Sequence, residues 1–281
     1  MSLNKIFAVL IIALIISFGI LHLSNAQKVT KKSIKPFFSQ KPAVNLNKFG
    51  FNEPSGIVFH PIRKTLFVVG DEGDICEITT NGKLLNQRHI RDADFEGITC
   101  SPKTGLLYIA VEGDEVIVEV NPETFDIIKV FWLNRFFNNT EVLSKGGDGI
   151  EGITFIPNND NDTLCVANQN EKTFDKNEIS AICVLDIDLN NPSFEDQNCV
   201  ISKIIDIGII DIRGLFYDSI SNELLVLSNR NNALFVFSMN GLLLKSIPVP
   251  GESQEGITLD NSGNIYIAQD SGEIFKYSYK Q

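Results

Sequence analysis

Three glutamates in this 281-residue chain stand before a glycine in the same short phrase: Glu96-Gly97-Ile98-Thr99, Glu151-Gly152-Ile153-Thr154 and Glu255-Gly256-Ile257-Thr258. Ser55-Gly56-Ile57-Val58 and Arg213-Gly214-Leu215-Phe216 are further copies in which serine and arginine replace the acid. Oxygen-bearing side chains recur again after the next strand-like run of each copy, as Asp71, Glu112, Gln169, Asn229 and Asp270. Carboxylates brought together repel unless a cation or an arginine offsets them. Oxygen donors at several points, without cysteine or histidine among them, suit a hard ion, calcium in preference to zinc. The expected metal ligands are therefore Glu96, Glu151, Glu255, Glu112, Asp71 and Asp270, with calcium as the ion and Arg213 neutralising part of the ring. The competing reading is structural: glycine permits close backbone approach at a narrow axis, and the glutamate caps neighbouring amides.

For side chains so far apart in sequence to meet, the elements carrying them must be copies of one unit around a shared axis. The phrase glycines fall at 56, 97, 152, 214 and 256, at intervals of 41, 55, 62 and 42 residues, the size of one supersecondary unit per copy. β-Branched and aromatic runs separated by turn residues follow each glycine. In the first copy they span 56–59, 65–69, 75–79 and 83–90, with turns at His60-Pro61 and Asn81-Gly82, the latter a hairpin signal. The second copy reads 97–100, 106–111, 116–120 and 125–133, and the fourth 214–217, 223–227, 233–238 and 242–249. Four strands per copy is the blade of a propeller, so the expected fold is all-β, a five-bladed β-propeller. Six blades is the alternative, because the 62-residue interval leaves room for extra strands. The last copy supplies 256–259, 264–268 and 273–279 and then the sequence ends. Residues 42–49, ahead of the first copy, are expected to complete that blade and close the ring. With the first strand of each copy innermost, the position before each glycine and the end of each second strand share one face. The insertions 134–149 and 169–178 fall on it too and mark it as the functional end.

Lysines and arginines number 24 against 35 aspartates and glutamates, a net charge of −11. A nucleic-acid partner requires a basic stripe that displaces counterions and is not expected. Lys5 leads an apolar run from Ile6 to Leu23, and Ser24-Asn25-Ala26 offers small residues for cleavage. Residues 1–26 read as a signal peptide, with an uncleaved membrane anchor as the alternative, since about 18 residues is the lower limit for a span. Residues 27–41 read as a tether and 42–281 as the propeller. The expected location is exported, periplasmic or secreted, with the membrane a partner if the anchor stays. Five cysteines, Cys76, Cys100, Cys165, Cys183 and Cys199, show no CxxC spacing and read as buried free thiols. A Cys183–Cys199 bridge is the alternative. Trp132, with Phe131, Phe136 and Phe137 around it, is expected to pack between blades.

The succession Glu53-Pro54-Ser55-Gly56, Asp94-Phe95-Glu96-Gly97-Ile98, Gly149-Ile150-Glu151-Gly152-Ile153 and Glu255-Gly256-Ile257, with Ile265-Tyr266-Ile267-Ala268 after the last, resembles the SdiA-regulated, YjiK-like propellers over about residues 45–281. The resemblance implies a five-bladed propeller, exported or membrane-tethered, distantly similar to NHL repeats, with a bound calcium ion. Arg213 departs from the small residue expected in that blade. The expected function is binding of a small ligand or protein partner at the acidic axial face. The alternative is a metal-dependent hydrolase similar to the gluconolactonase and regucalcin propellers, acting on a lactone, ester or phosphoester. His22, His60 and His89 are the only histidines. They lie in the leader or in predicted loop and outer strand, so hydrolysis would rest on carboxylates alone.

Overall fold

The computed structural model describes residues 42–278 apart from 144–145, 147–148, 159–160, 170–180, 192 and 194. The leader and tether expected at 1–41 lie outside the described residues, as do parts of both insertions. A short strand β1 (Val44–Asn45) and a turn of 3-10 helix at Leu46–Phe49 precede the repeated units. The first unit is β2 (Pro54–His60), β3 (Thr65–Gly70), β4 (Asp74–Thr79) and β5 (Leu84–His89). The second is β6 (Asp94–Cys100), β7 (Leu107–Glu112), β8 (Val116–Val120) and β9 (Ile127–Leu133). A small hairpin of β10 (Phe136–Phe137) and β11 (Thr140–Glu141) follows. Then come β12 (Ile150–Ile156), β13 (Thr163–Asn168), β14 (Ala181–Asp186) and β15 (Gln197–Asp206). The next unit is β16 (Ile212–Asp218), β17 (Glu223–Ser228), β18 (Ala233–Ser238) and β19 (Leu243–Pro248). The last strands are β20 (Gln254–Leu259), β21 (Asn264–Gln269) and β22 (Glu273–Ser278).

Each unit is an antiparallel meander, and β1 lies beside β22, with Val44 opposite Ile274 and Asn45 opposite Glu273. The segment expected to complete the last sheet therefore does pair with it. One contact departs from simple meanders: β15 runs parallel to β9, with Gln197 opposite Phe131 and Cys199 opposite Leu133, joining two units edge to edge into eight strands. Among the described residues, the remaining sheet is the two-stranded β10–β11 hairpin.

Strand periodicity shows how the units stack. Leu66 and Val68 enter an apolar layer shared with Tyr266 and Ala268 of the last sheet. Phe67 and Val69, pointing the other way, enter a layer shared with Phe95 and Ile109 of the second. Three more layers lie between the second and third units, the third and fourth, and the fourth and last. Because every layer is shared by chain-adjacent units and the last returns to the first, the sheets stand around an axis as a β-propeller. First and third strands such as β2 and β8 are accordingly buried on both faces, whereas the outer β5 and β19 are largely exposed.

The threonine of the repeated phrase serves the seams. Thr99 accepts the N–H of Phe155 at 3.0 Å, Thr154 that of Tyr217 at 2.8 Å, and Thr258 that of Phe59 at 2.9 Å. Each bond crosses to the first strand of the next sheet. Replacing Thr258 by valine keeps the shape and leaves the buried Phe59 N–H without an acceptor, which costs about 1–3 kcal/mol. A lower urea midpoint with an unchanged slope is the expected result; an unchanged midpoint would refute the seam assignment.

Trp132 does not pack between sheets. It is 49% exposed, while its neighbour Phe131 is fully buried, because alternation along β9 turns only one of them into the apolar layer. All five cysteines are buried and free.

Candidate axial cation site

A β-bulge aims the acids. In β2, β6, β12, β16 and β20 the register slips by one residue between Pro54 and Gly56, Phe95 and Ile98, Ile150 and Gly152, Ile212 and Gly214, and Gln254 and Ile257. Each slip spans the position before the phrase glycine, occupied by Ser55, Glu96, Glu151, Arg213 or Glu255. The extra residue is freed from the ladder, and a bulge of this kind re-aims a side chain, here toward the axis. The glycine that follows then abuts the next sheet's backbone: a methyl group on Gly56 would meet the Glu96 carbonyl, on Gly97 that of Glu151, and on Gly214 that of Glu255. Gly256 stands in the same relation to Ser55. The phrase glycines and Arg213 line a small cavity at the axis.

The three glutamates form one connected arc. Glu96 and Glu151 hydrogen-bond each other through their carboxyl groups. Arg213 reaches Glu151 at 3.2 Å and Glu255 at 3.6 Å, and its Nε donates to Asp211 at 2.9 Å. Asp71 accepts the Ser55 hydroxyl, and ligand oxygens of Asp71, Asp94 and Glu96 all lie within 4.8 Å of one another. Two sequence-derived candidates are placed differently. Glu112 accepts the Gly149 N–H at 2.8 Å and anchors the strand entry. Asp270, whose backbone N–H is tied to Ser253 O at 3.1 Å, acts on Glu255 and Asp71 through its charge. His60 is buried beside Gly105 O, and His89 is exposed on β5 against Asp74.

Asp94 and Asp211 are site residues that sequence reasoning does not single out. Both stand two positions before the axial residue, so an acid-x-acid or acid-x-arginine spacing is the available signal. Its meaning depends on the bulge, which brings the two side chains to the same end of the strand.

Burial dominates the electrostatics. Loss of hydration pushes Glu255 up to about 8, the nearby Arg213 opposing and Glu151 and Asp270 adding. Glu112 rises to about 8 through burial and the charge of Glu151, against the Gly149 N–H. Asp71 rises to about 6 through burial, with the Ser55 hydroxyl opposing. Asp94 is raised by burial. Burial and the charges around it put Glu96 well above the usual carboxylate range. Glu151 is also raised by burial, but Arg213 opposes the rise. Burial works against the charge of Arg213, and Glu151, Glu255 and Asp211 outweigh it. Among the described residues three buried carboxylate oxygens, Asp94 Oδ1, Glu115 Oε2 and Glu151 Oε2, accept no N–H or hydroxyl hydrogen bond; Asp94 and Glu151 belong to the axial group, and Glu151 is joined to the Glu96 carboxyl.

The fold and this arc define a β-propeller with an acidic axial site. The chain belongs to the SdiA-regulated family, whose model matches residues 43–278. Among solved structures, the glutaminyl cyclase of Myxococcus xanthus is similar in fold, with a TM-score of 0.57 at 11% identity over 81% of this chain and 90% of that one. No curated protein matches the sequence.

Proposed function

We propose that the chain is a five-bladed propeller, closed by residues 42–49, that holds one calcium ion at its axis and binds a small ligand or protein partner at that face outside the cytoplasm. The carrying observation is the convergence of Asp71, Asp94 and Glu96, whose ligand oxygens lie within 4.8 Å of one another. Calcium takes oxygen ligands at about 2.3–2.6 Å, so donors of one ion stand up to about 5 Å apart, and this trio fits. The unpartnered Asp94 Oδ1 supports the same reading, since a buried carboxylate oxygen without donor or cation is costly. Relative to the sequence-derived ligand set, Glu96 and Asp71 stay, Asp94 joins, and Glu151 and Glu255 are engaged chiefly by Arg213. Export rests on the apolar run Ile6–Leu23.

An ion bound only by the folded state stabilises it in proportion to the logarithm of its concentration. Calcium should therefore raise the melting temperature relative to chelator, and Asp94→Asn or Glu96→Gln should each abolish most of that response. Equal melting temperatures with calcium and with chelator would assign the ring a purely structural role.

A further inference from the structure

The axial acids divide between two positions, and the chain itself fills one of them. Arg213 takes the place in its sheet that Glu96, Glu151 and Glu255 take in theirs. Its guanidinium faces Glu151 at 3.2 Å, Glu255 at 3.6 Å and Asp211 at 2.9 Å, three carboxylates around one cation. Asp71, Asp94 and Glu96 form the other group, gathered by their own ligand oxygens. Glu151 stands at the boundary. It is joined to Glu96 of the first group through the carboxyl–carboxyl hydrogen bond, its Oε1 accepts from Arg213 of the second, and the residue is 2% exposed.

We propose that Arg213 occupies a second cation position, so that the axial site takes one divalent ion where its acids would otherwise take two. The inference rests on the axial-ion reading above. A planar guanidinium suits this position because its fixed fork of donors satisfies several carboxylates at once and never loses its charge. Glu151, Glu255 and Asp211 thus keep their counter-charge when the divalent ion leaves. Ion exchange then frees only the Asp71, Asp94 and Glu96 group, while the rest of the ring stays assembled.

Calorimetric titration of the full chain with calcium, paired with elemental analysis after buffer exchange, tests this division. The wild-type protein should bind one calcium ion, Arg213→Ser two, and Arg213→Lys one, since lysine restores the charge. Folding of Arg213→Ser only when calcium is present, with two ions bound, supports the same conclusion. One ion in both the wild type and Arg213→Ser overturns the second position and leaves the axial-ion reading standing. No ion in the wild type overturns the axial-ion reading, and this inference with it. An Arg213→Ser chain that stays unfolded at every calcium concentration also overturns it, because the divalent ion then fails to replace the guanidinium.

Discussion

Stripped of divalent cations, the protein should lose stability as pH rises from about 5 to 8, and saturating calcium should abolish or reverse that loss. Glu255 and Glu112 titrate in the folded chain near 8 against an ordinary 4.5; Asp71, raised to about 6 from 3.8, is exposed at the rim, and solvent screening makes its share small. Between those limits these carboxyl groups hold more protons in the folded state than in the unfolded one; they outnumber His60, which burial lowers and which has the opposite slope, so the stability of folding declines with rising pH. The contribution is complete below the ordinary carboxylate range and is lost as pH passes through the raised values. Glu77 and Asp260, lowered by their partners despite burial, are already ionised in this window and add no slope. Calcium changes the sign because it binds ionised carboxylates and releases protons. For a domain of this size each kcal/mol moves the melting temperature by about 2–4 °C, so a fall of about 10 °C between pH 5 and 8 in chelator is expected. Melting curves at several pH values, with chelator and with calcium, check it. A melting temperature independent of pH in chelator would show that the acids carry no such strain.

The parts of the site that are legible from sequence are those the repeat exposes. In Glu-Gly-Ile-Thr the four residues divide the labour, since the acid enters the axis, the glycine admits the next strand's backbone, the isoleucine joins an apolar layer, and the threonine bonds across the seam. Repetition gives those positions weight, and strand alternation then assigns their faces. Asp94 is harder to assign because its role depends on a register slip between β6 and β7, and register is a property of paired strands. Glu112 groups with Asp71 by position, yet its longer side chain reaches across to Gly149. The parallel contact of β15 with β9 has no local signature, since it joins residues 131–133 to 197–199 across an insertion. Trp132 follows from strand alternation, which turns it away from the apolar layer that Phe131 enters.

Gly56→Ala should be among the most damaging single substitutions in the protein. The added methyl group would overlap the carbonyl oxygen of Glu96 and stand 2.9 Å from the Ile98 amide nitrogen. Both obstacles are backbone, so no rotamer change relieves the contact. Nor can β6 retreat, because its own Gly97 rests against the Glu151 carbonyl and the succession of first strands returns to Ser55. Pushing one strand outward drives it into the next, and the strain is distributed around the axis. A cost above about 4 kcal/mol belongs to such backbone clashes and core disruptions; the expected outcome is a chain that fails to accumulate in soluble form or melts at least 10 °C lower, at about 2–4 °C per kcal/mol. Gly50→Ala supplies the comparison. Gly50 has φ +73° with open space around its missing side chain, so alanine there bears only the left-handed backbone penalty of about 1 kcal/mol. Because the clash at Gly56 also displaces the strand that carries Asp94 and Glu96, any folded Gly56→Ala protein should lose the calcium response that Gly50→Ala retains. Equal melting temperatures for the two variants would mean that the axis yields to a methyl group, and the account of why the acid is always followed by glycine would fail.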